Sequence, residues 1–434
     1  MYAVAAGLII IGIVLGISLP LTLRGSSSAN NGNGAKSSSL TLLVGLDGFR
    51  MDYLDKTSTP NLYAFFQKAA VSSLQPVFPS QSFPNQYSMI TGLVPGKHGL
   101  VGDYFHSRSV NAEYPASYSR NNSYNSVNNP VFYYGTPLWQ TVQAAGYTSG
   151  TVSWPGSEAG INTISPTFQL AFNKTQTDDF RVSAVTNWMN GIGVDGSKVV
   201  TPAFIATHMR VMDVAGTALG TDVSKLQPNL TSLDVTFGKM LAAVDAFKSG
   251  PCNMIVVSDH GMATVDNSKV IYYEDLFDVT NTNTIVVQNR PMAYIYTDST
   301  FDLTSFQTKA KGFASSITVY IKGQNDAPGF SGITSDRIPD ILILPNEGAV
   351  LAYKSPGFPR APVSGGSAGY MHTLVSMEGV FAGYGPAFKS GVKSTGAVGS
   401  VRTVDIYALL IKLVGVKSAS GVDAVADGFK ELMV

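Results

Sequence analysis

Two short apolar runs in this chain end in the same way, and they constrain the fold more than any other feature. SLTLLVGLDG (39–48) and NMIVVSDHGM (253–262) each hold at least five residues with no charge, then reach an acidic residue with a glycine one or two positions after it. Runs of this length, without polar alternation, predict strands buried on both faces, as in a parallel sheet. AFIATH (203–208) is a third such run and leads into a predicted loop bearing Asp213; DILILP (340–345) is a fourth. Between them lie segments of helical character: TPNLYAFFQKAA (59–70), GTPLWQTVQAAG (135–146) and SLDVTFGKMLAAVDAFKSG (232–250). Strands alternating with helices predict an α/β domain with a mostly parallel sheet and helices on both faces. In such sheets ligands bind beyond the carboxyl ends of the strands. Asp47, Asp213, Asp259 and His260 all converge on that edge. Residues 104–134, rich in Tyr and Asn, read as an irregular surface insertion, and there is no internal repeat.

The chain has 434 residues and a formal net charge of zero. A nucleic-acid polymer is therefore not an expected partner, because there is no basic excess to neutralise phosphates along a strand. Cys252 is the single cysteine, so no internal disulfide can form. The N-terminal run Tyr2–Leu23 carries no charge and ends at Arg24. As a helix it would span roughly 33 Å, close to the hydrocarbon core of a bilayer. It is longer than the apolar part of a cleaved signal and lacks a basic start, so residues 1–24 read as a transmembrane signal-anchor. A removed signal, leaving a secreted protein, is the other reading. Residues 25–39, GSSSANNGNGAKSSS, form a polar linker, and 40–434 the folded domain. Glycosylation acceptors at Asn121, Asn173 and Asn229 agree with a lumenal or extracellular location for that domain. Orientation is not fixed by charge, since the nearest basic residue follows the span.

Ser82, in FPSQSFPNQY (78–87), has no base near it in sequence. The carboxylates Asp47 and Asp259 and the imidazole of His260 are donors suited to zinc or a similar divalent ion. An alcohol beside such an ion loses its proton more readily and needs no adjacent base. Taken singly, each residue has a plainer role: a strand-end Asp caps or turns, a loop Ser bonds its own backbone, a His packs in the core.

The stretches LLVGLDGFRMDYLD (42–55), TPNL (59–62), FPSQSFPNQYSMITGLVPGKHG (78–99), PLWQTVQAAGY (137–147), WPGS (154–157), VVSDHGM (256–262), GVFAGYGPAFK (379–389) and VRTVDIYALLIKLVGV (401–416) resemble, in order, the nucleotide pyrophosphatase/phosphodiesterases of the alkaline phosphatase superfamily. The resemblance implies an alkaline-phosphatase-like fold and a metal-dependent phosphodiesterase cleaving small phosphodiester or pyrophosphate substrates, of nucleotide or phospholipid type. It implies Ser82 as nucleophile, in place of the more usual Thr, forming a covalent phospho-enzyme. Asp47, Ser82, Asp259 and His260 would hold one zinc ion. Asn85 would hydrogen-bond the phosphoryl oxygen, and Phe83 and Trp154 would line the substrate pocket. The second metal set is broken. In MDVAGTALG (212–220) Asp213 fits, but Thr217 stands where the family has His, and in GGSAGY (365–370) Ala368 takes the place of another. His208, five residues before Asp213, and His372, four after Ala368, are the residues that could compensate, although structural roles suit both better. Losing only a partner behind a ligand costs roughly 10–100-fold in metal affinity or activity. Two missing ligands therefore imply an impaired enzyme or, alternatively, a non-catalytic ectodomain that serves as a binding module.

Overall fold

In the computed structural model, which describes residues 39–115, 127–173, 175–356, 358, 363–394 and 401–434, the first apolar run is a strand, Leu40–Leu46, buried at every position. It lies at the centre of a seven-stranded sheet. The order across the sheet is Ala70–Leu74, Gly379–Tyr384, Cys252–Val257, Leu40–Leu46, Phe204–Met209, Ser149–Val152 and Phe168–Leu170. Gly379–Tyr384 runs antiparallel to both of its neighbours, and the other four pairings of the sheet are parallel, so the sheet is mixed but predominantly parallel.

Alternation along the central strand divides the core into two layers. Leu40, Leu42, Val44 and Leu46 face helices Pro60–Lys68, Asp178–Met189 and Val223–Ala246, meeting Phe65, Val185, Trp188, Phe237 and Met240. Leu43 faces the opposite layer, where helices Ser82–Thr91, Leu138–Ala144 and Ile406–Val414 contribute Tyr87, Ile90, Trp139, Leu409 and Leu410. Each side chain of this kind contributes about 1.5–3 kcal/mol on full burial. Helices on both faces therefore hold the central strand and the ends of its two neighbours firmly in register. Gly45 is required by that closeness: a Cβ there would lie 2.9 Å from the Cβ of His208 on the next strand.

The structure departs from the sequence reading in four places. DILILP is a strand, Ile341–Pro345, but it belongs to a separate antiparallel sheet with Ile285–Asn289, Met292–Tyr296 and Ile317–Ile321. The predicted loop bearing Asp213 is a helix, Val211–Leu219, with Asp213 in its first turn. The helix expected from residue 232 begins at Val223, where the Asp222 side chain accepts from the Ser224 N–H; Pro228 lies inside it. A proline normally marks a helix boundary, which is why the shorter span is read from sequence. The Tyr-rich insertion is not a surface ornament. Tyr104–Ser107 pairs with Ala112–Pro115, and Phe105, Tyr114, Phe132 and Tyr133 are all buried. Asn121, the linker residues 25–38 and the predicted anchor lie outside the described residues. Among the described residues, no helix is long and apolar enough to cross a membrane.

A buried arginine secures this insertion. Arg337 is fully buried and donates to the carbonyls of Gly99, Val131 and Phe132 and to the Tyr134 hydroxyl, at 2.6–3.0 Å. Its guanidinium also lies 4.2 Å from the centre of the Tyr134 ring. Replacing Arg337 with Met strands three carbonyls, each worth about 1–3 kcal/mol when left unpaired. The expected loss is about 3 kcal/mol or more in urea unfolding; a loss below about 1 kcal/mol would contradict the role given to this side chain.

Candidate active site

Three backbone segments meet at the carboxyl edge of the sheet. The central strand ends at Leu46, and the chain turns through Asp47 and Gly48. Gly48 has φ of +68°, and a Cβ on it would come 3.1 Å from Cα of Asp213, so only glycine fits between strand and helix here. The neighbouring strand, Cys252–Val257, ends just before Asp259 and His260. Ser82 arrives from the other layer as the first residue of helix Ser82–Thr91.

These residues converge. The Ser82 hydroxyl donates to Asp47 Oδ1 at 3.1 Å and lies 3.0 Å from His260 Nε2. His260 Nε2 is 3.6 Å from Asp47 Oδ1 and 3.7 Å from Asp259 Oδ2. Ser82 is half-buried, whereas the other three are almost fully enclosed. His260 Nδ1 is 2.7 Å from the Gly261 carbonyl, which assigns a proton to Nδ1 and turns Nε2 toward Ser82 and the carboxylates. Asp259 is oriented through Oδ1 by the Gly48 and His260 N–H groups and through Oδ2 by the Gln86 amide at 2.7 Å.

The electrostatics explain what such a site needs. Burial, followed by the charge of Asp259, pushes Asp47 up to about 8. Burial also raises Asp259. For His260, burial opposes the charged form, but Asp259, Asp47 and Asp213 outweigh it and bring the imidazole to about 9. Two like charges held this close in a dry setting repel strongly, and a divalent cation removes the conflict. Asp47, Asp259 and His260 offer ligand atoms all within 4.8 Å of one another, and among the described residues they are the one such group of three. With bonds of about 2.0–2.2 Å, these donors and Ser82 suit a single zinc ion.

The second set does not. Asp213 is half-buried and raised to about 6, first by burial and then by Asp47. The segment carrying Ala368 packs beside the helix carrying Thr217: a Cβ on Gly365 would meet the Thr217 carbonyl, and one on Gly366 the Gly216 carbonyl. The two departures are therefore neighbours, and the Met262 thioether, not an imidazole, lies between Gly216 and Gly366. Neither spare histidine compensates. His208 packs edge-on to Trp154, and burial, with Arg181 and Arg210 nearby, holds it well below the usual histidine range. His372 packs against Phe78.

Two further expectations need correction. The Asn85 amide does not face the site. Its Oδ1 accepts from Val77 N–H and the Thr403 hydroxyl, both at 2.7 Å, and its Nδ2 donates to the carbonyls of Pro79 and Gln81 at 2.9 Å. Fully buried and fully engaged, it braces the loop before Ser82 and offers nothing to a phosphoryl oxygen. Trp154 is also enclosed, with its indole N–H donated to the Gln86 carbonyl, so it supports the helix bearing Ser82 and does not line an open pocket. Phe83 lies against Tyr114 and keeps a small exposed edge.

The sequence reading missed three neighbours. Gln86, one helical turn from Ser82, holds Asp259. Asp103, half-buried, accepts from the Phe83 N–H at 3.0 Å and is pushed up to about 6 by burial. Arg210, between strand Phe204–Met209 and helix Val211–Leu219, places Nε 3.8 Å from Asp47 Oδ2. The Ser82-to-Gln86 spacing was a usable signal; Asp103 and Arg210 carried none.

Residues 41–371 match the family model of the type I phosphodiesterase/nucleotide pyrophosphatases. The chain belongs to that family. A mouse relative, a bis(5'-adenosyl)-triphosphatase, is 28% identical over 397 residues, covering 89% of this chain and 80% of its own length. Human ectonucleotide pyrophosphatase/phosphodiesterase family member 5 is 28% identical over 380 residues, 86% of this chain and 74% of its own. The solved structure of murine member 5 superposes with a TM-score of 0.79 at 24% identity, covering 91% of this chain and all of that one. A second murine structure, inactive and in complex with AMP, gives a TM-score of 0.80 at 23% identity.

The raised values of Asp47 and His260 set the pH response of metal-free protein. Both folded values exceed the unfolded ones, so folding favours proton uptake, and stability is fully present at low pH and lost as pH rises toward about 9. Zinc requires the deprotonated carboxylates and acts in the opposite direction. In thermal unfolding, chelator-treated protein should lose stability between pH 5 and pH 9, by a rough span set by these values, and the stabilisation by added zinc should grow over the same interval. A zinc effect that shrinks with rising pH would contradict this.

Proposed function

We propose that this protein is a metal-dependent phosphodiesterase acting on small nucleotide-type or phospholipid-type diesters, with Ser82 as nucleophile. The observation that carries the reading is the Ser82 hydroxyl, half-buried at a helix N-terminus and within 3.0–3.1 Å of His260 Nε2 and Asp47 Oδ1. The Ser82 Oγ attacks phosphorus, and the Oγ–P bond forms as the bond to the leaving oxygen breaks. The hydroxyl, oriented by its hydrogen bond to Asp47 Oδ1, gives up its proton as the bond to phosphorus forms, and that proton ends on the departing oxygen. Water then attacks phosphorus; its hydroxide stays on the phosphate as the Oγ–P bond breaks, and its proton restores the Ser82 hydroxyl. Asp47, Asp259 and His260 would hold a zinc ion, which would supply Lewis-acid stabilisation of the charge that develops in both steps. The nucleotide side of the proposal draws support from the triphosphatase name of the mouse relative and the AMP complex of murine member 5.

Thr217 and Ala368 favour a second reading, a non-catalytic ectodomain that keeps one cation for stability. For location, we propose a membrane-anchored protein with this domain on the lumenal or extracellular side. The uncharged Tyr2–Leu23 run supports the anchor. Of the acceptor sites, Asn173 is exposed in a turn closed by Thr175, whereas Asn229 is half-buried within a helix.

Hydrolysis of a chromogenic thymidine monophosphate ester tests the choice. Under the enzymatic reading, Ser82→Ala lowers the rate by at least about 10³-fold. If the natural protein is inert and turnover appears only in the double variant Thr217→His, Ala368→His, the non-catalytic reading stands.

A further inference from the structure

The candidate site is rich in negative charge. Asp47, Asp103, Asp213 and Asp259 surround it, while its substrates are themselves anions. One divalent ion cannot offset four carboxylates and a phosphoryl group. The positions of a second ion hold Thr217 and Ala368, and the Met262 thioether lies between their segments.

A fixed cation is nonetheless present. Arg210 stands three residues before Asp213, in the connection between strand Phe204–Met209 and helix Val211–Leu219. Its Nε is 3.8 Å from Asp47 Oδ2, while the Ser82 hydroxyl bonds Oδ1 of the same carboxylate. Arg210 and the nucleophile thus engage the two oxygens of one side chain. The guanidinium stacks 5.1 Å from the Phe172 ring centre, which braces it on one side, and it remains one-third exposed on the other. Its charge reaches Asp47, Asp103 and Asp213 together. Arg50, also near the rim, is instead tied to both oxygens of Asp52 and to the Met262 carbonyl.

We propose that Arg210 takes the place of the missing second metal ion, its guanidinium binding the non-bridging oxygens of the phosphoryl group transferred to Ser82. A planar fork of N–H donors matches phosphate oxygens in a way that a point charge does not. Because it is covalently part of the chain, Arg210 provides this charge without metal loading. It binds substrate and product phosphate alike and does not generate a nucleophilic water, which the intact zinc set or bulk solvent must supply. The inference deepens the phosphodiesterase reading and rests on it.

The test is binding of AMP to zinc-loaded Ser82→Ala protein, with adenosine as the uncharged control and zinc content measured in each sample. In Ser82→Ala, Arg210→Ala, AMP affinity should fall about tenfold or more, adenosine affinity should hold, and zinc should stay at one per chain. Arg210→Lys should recover part of the loss and guards against a folding defect in the alanine variant. AMP affinity within about twofold of the parent, no AMP binding by the parent, or two tightly held zinc ions per chain would each overturn the proposal. Turnover by protein with Ser82 intact reports separately on the phosphodiesterase reading. Arg210-dependent AMP binding without turnover would leave the phosphate-binding role of Arg210 standing and remove the phosphodiesterase reading.

Discussion

Everything at this site follows from the burial of two carboxylates, Asp47 and Asp259, side by side. Parallel strands buried by helices on both faces release their last residues into a dry rim, and here adjacent strands release a carboxylate each. Burial makes ionisation costly for both, and the charge of Asp259 adds to it for Asp47, which rises to about 8. The fold tolerates the pair because the Gly48, His260 and Gln86 donors hold Asp259 in place. Under the proposed mechanism a cation shared with His260 would turn that cost into binding energy and would make an otherwise ordinary alcohol at Ser82 reactive, linking the stability of the rim to its chemistry.

The two metal sets that the resemblance implies fare differently. The strand ends that the core fixes bring Asp47, Asp259 and His260 together. In the second set Thr217 and Ala368 stand where the resemblance implies imidazoles, although the backbone still brings the Val211–Leu219 helix and the Gly365–Tyr370 segment together. Asp213 remains as a carboxylate without a cation of its own. Arg210 gives the remaining charge a counterpart, at the cost of the water-activating chemistry that a metal provides and a guanidinium does not.

Much of this was legible in the sequence, for reasons that can be stated residue by residue. Asp47, Asp259 and His260 end apolar runs whose only stable setting is a buried sheet, so their convergence follows from topology. Helix Pro60–Lys68 falls within its expected segment for the same reason: its apolar spacing and leading proline are local signals. Asn85 was misplaced because motif position carries no information about side-chain direction; it points toward Val77 and Thr403, a partner more than three hundred residues away. Arg210 and Asp103 were silent because their meaning lies in what they approach. DILILP has the composition of a core strand, and composition cannot say which sheet a strand joins. The Tyr-rich segment reads as surface until Arg337, far along the chain, supplies the donors and cation that bury it.

The central claim is that one divalent ion sits among Asp47, Asp259, His260 and Ser82. Anomalous X-ray scattering from a zinc-soaked crystal, collected on both sides of the zinc edge, tests it most directly. The account predicts a single strong peak within bonding distance of those four donor atoms and none beside Asp213. A peak beside Asp213, or none between the two strand ends, would contradict it.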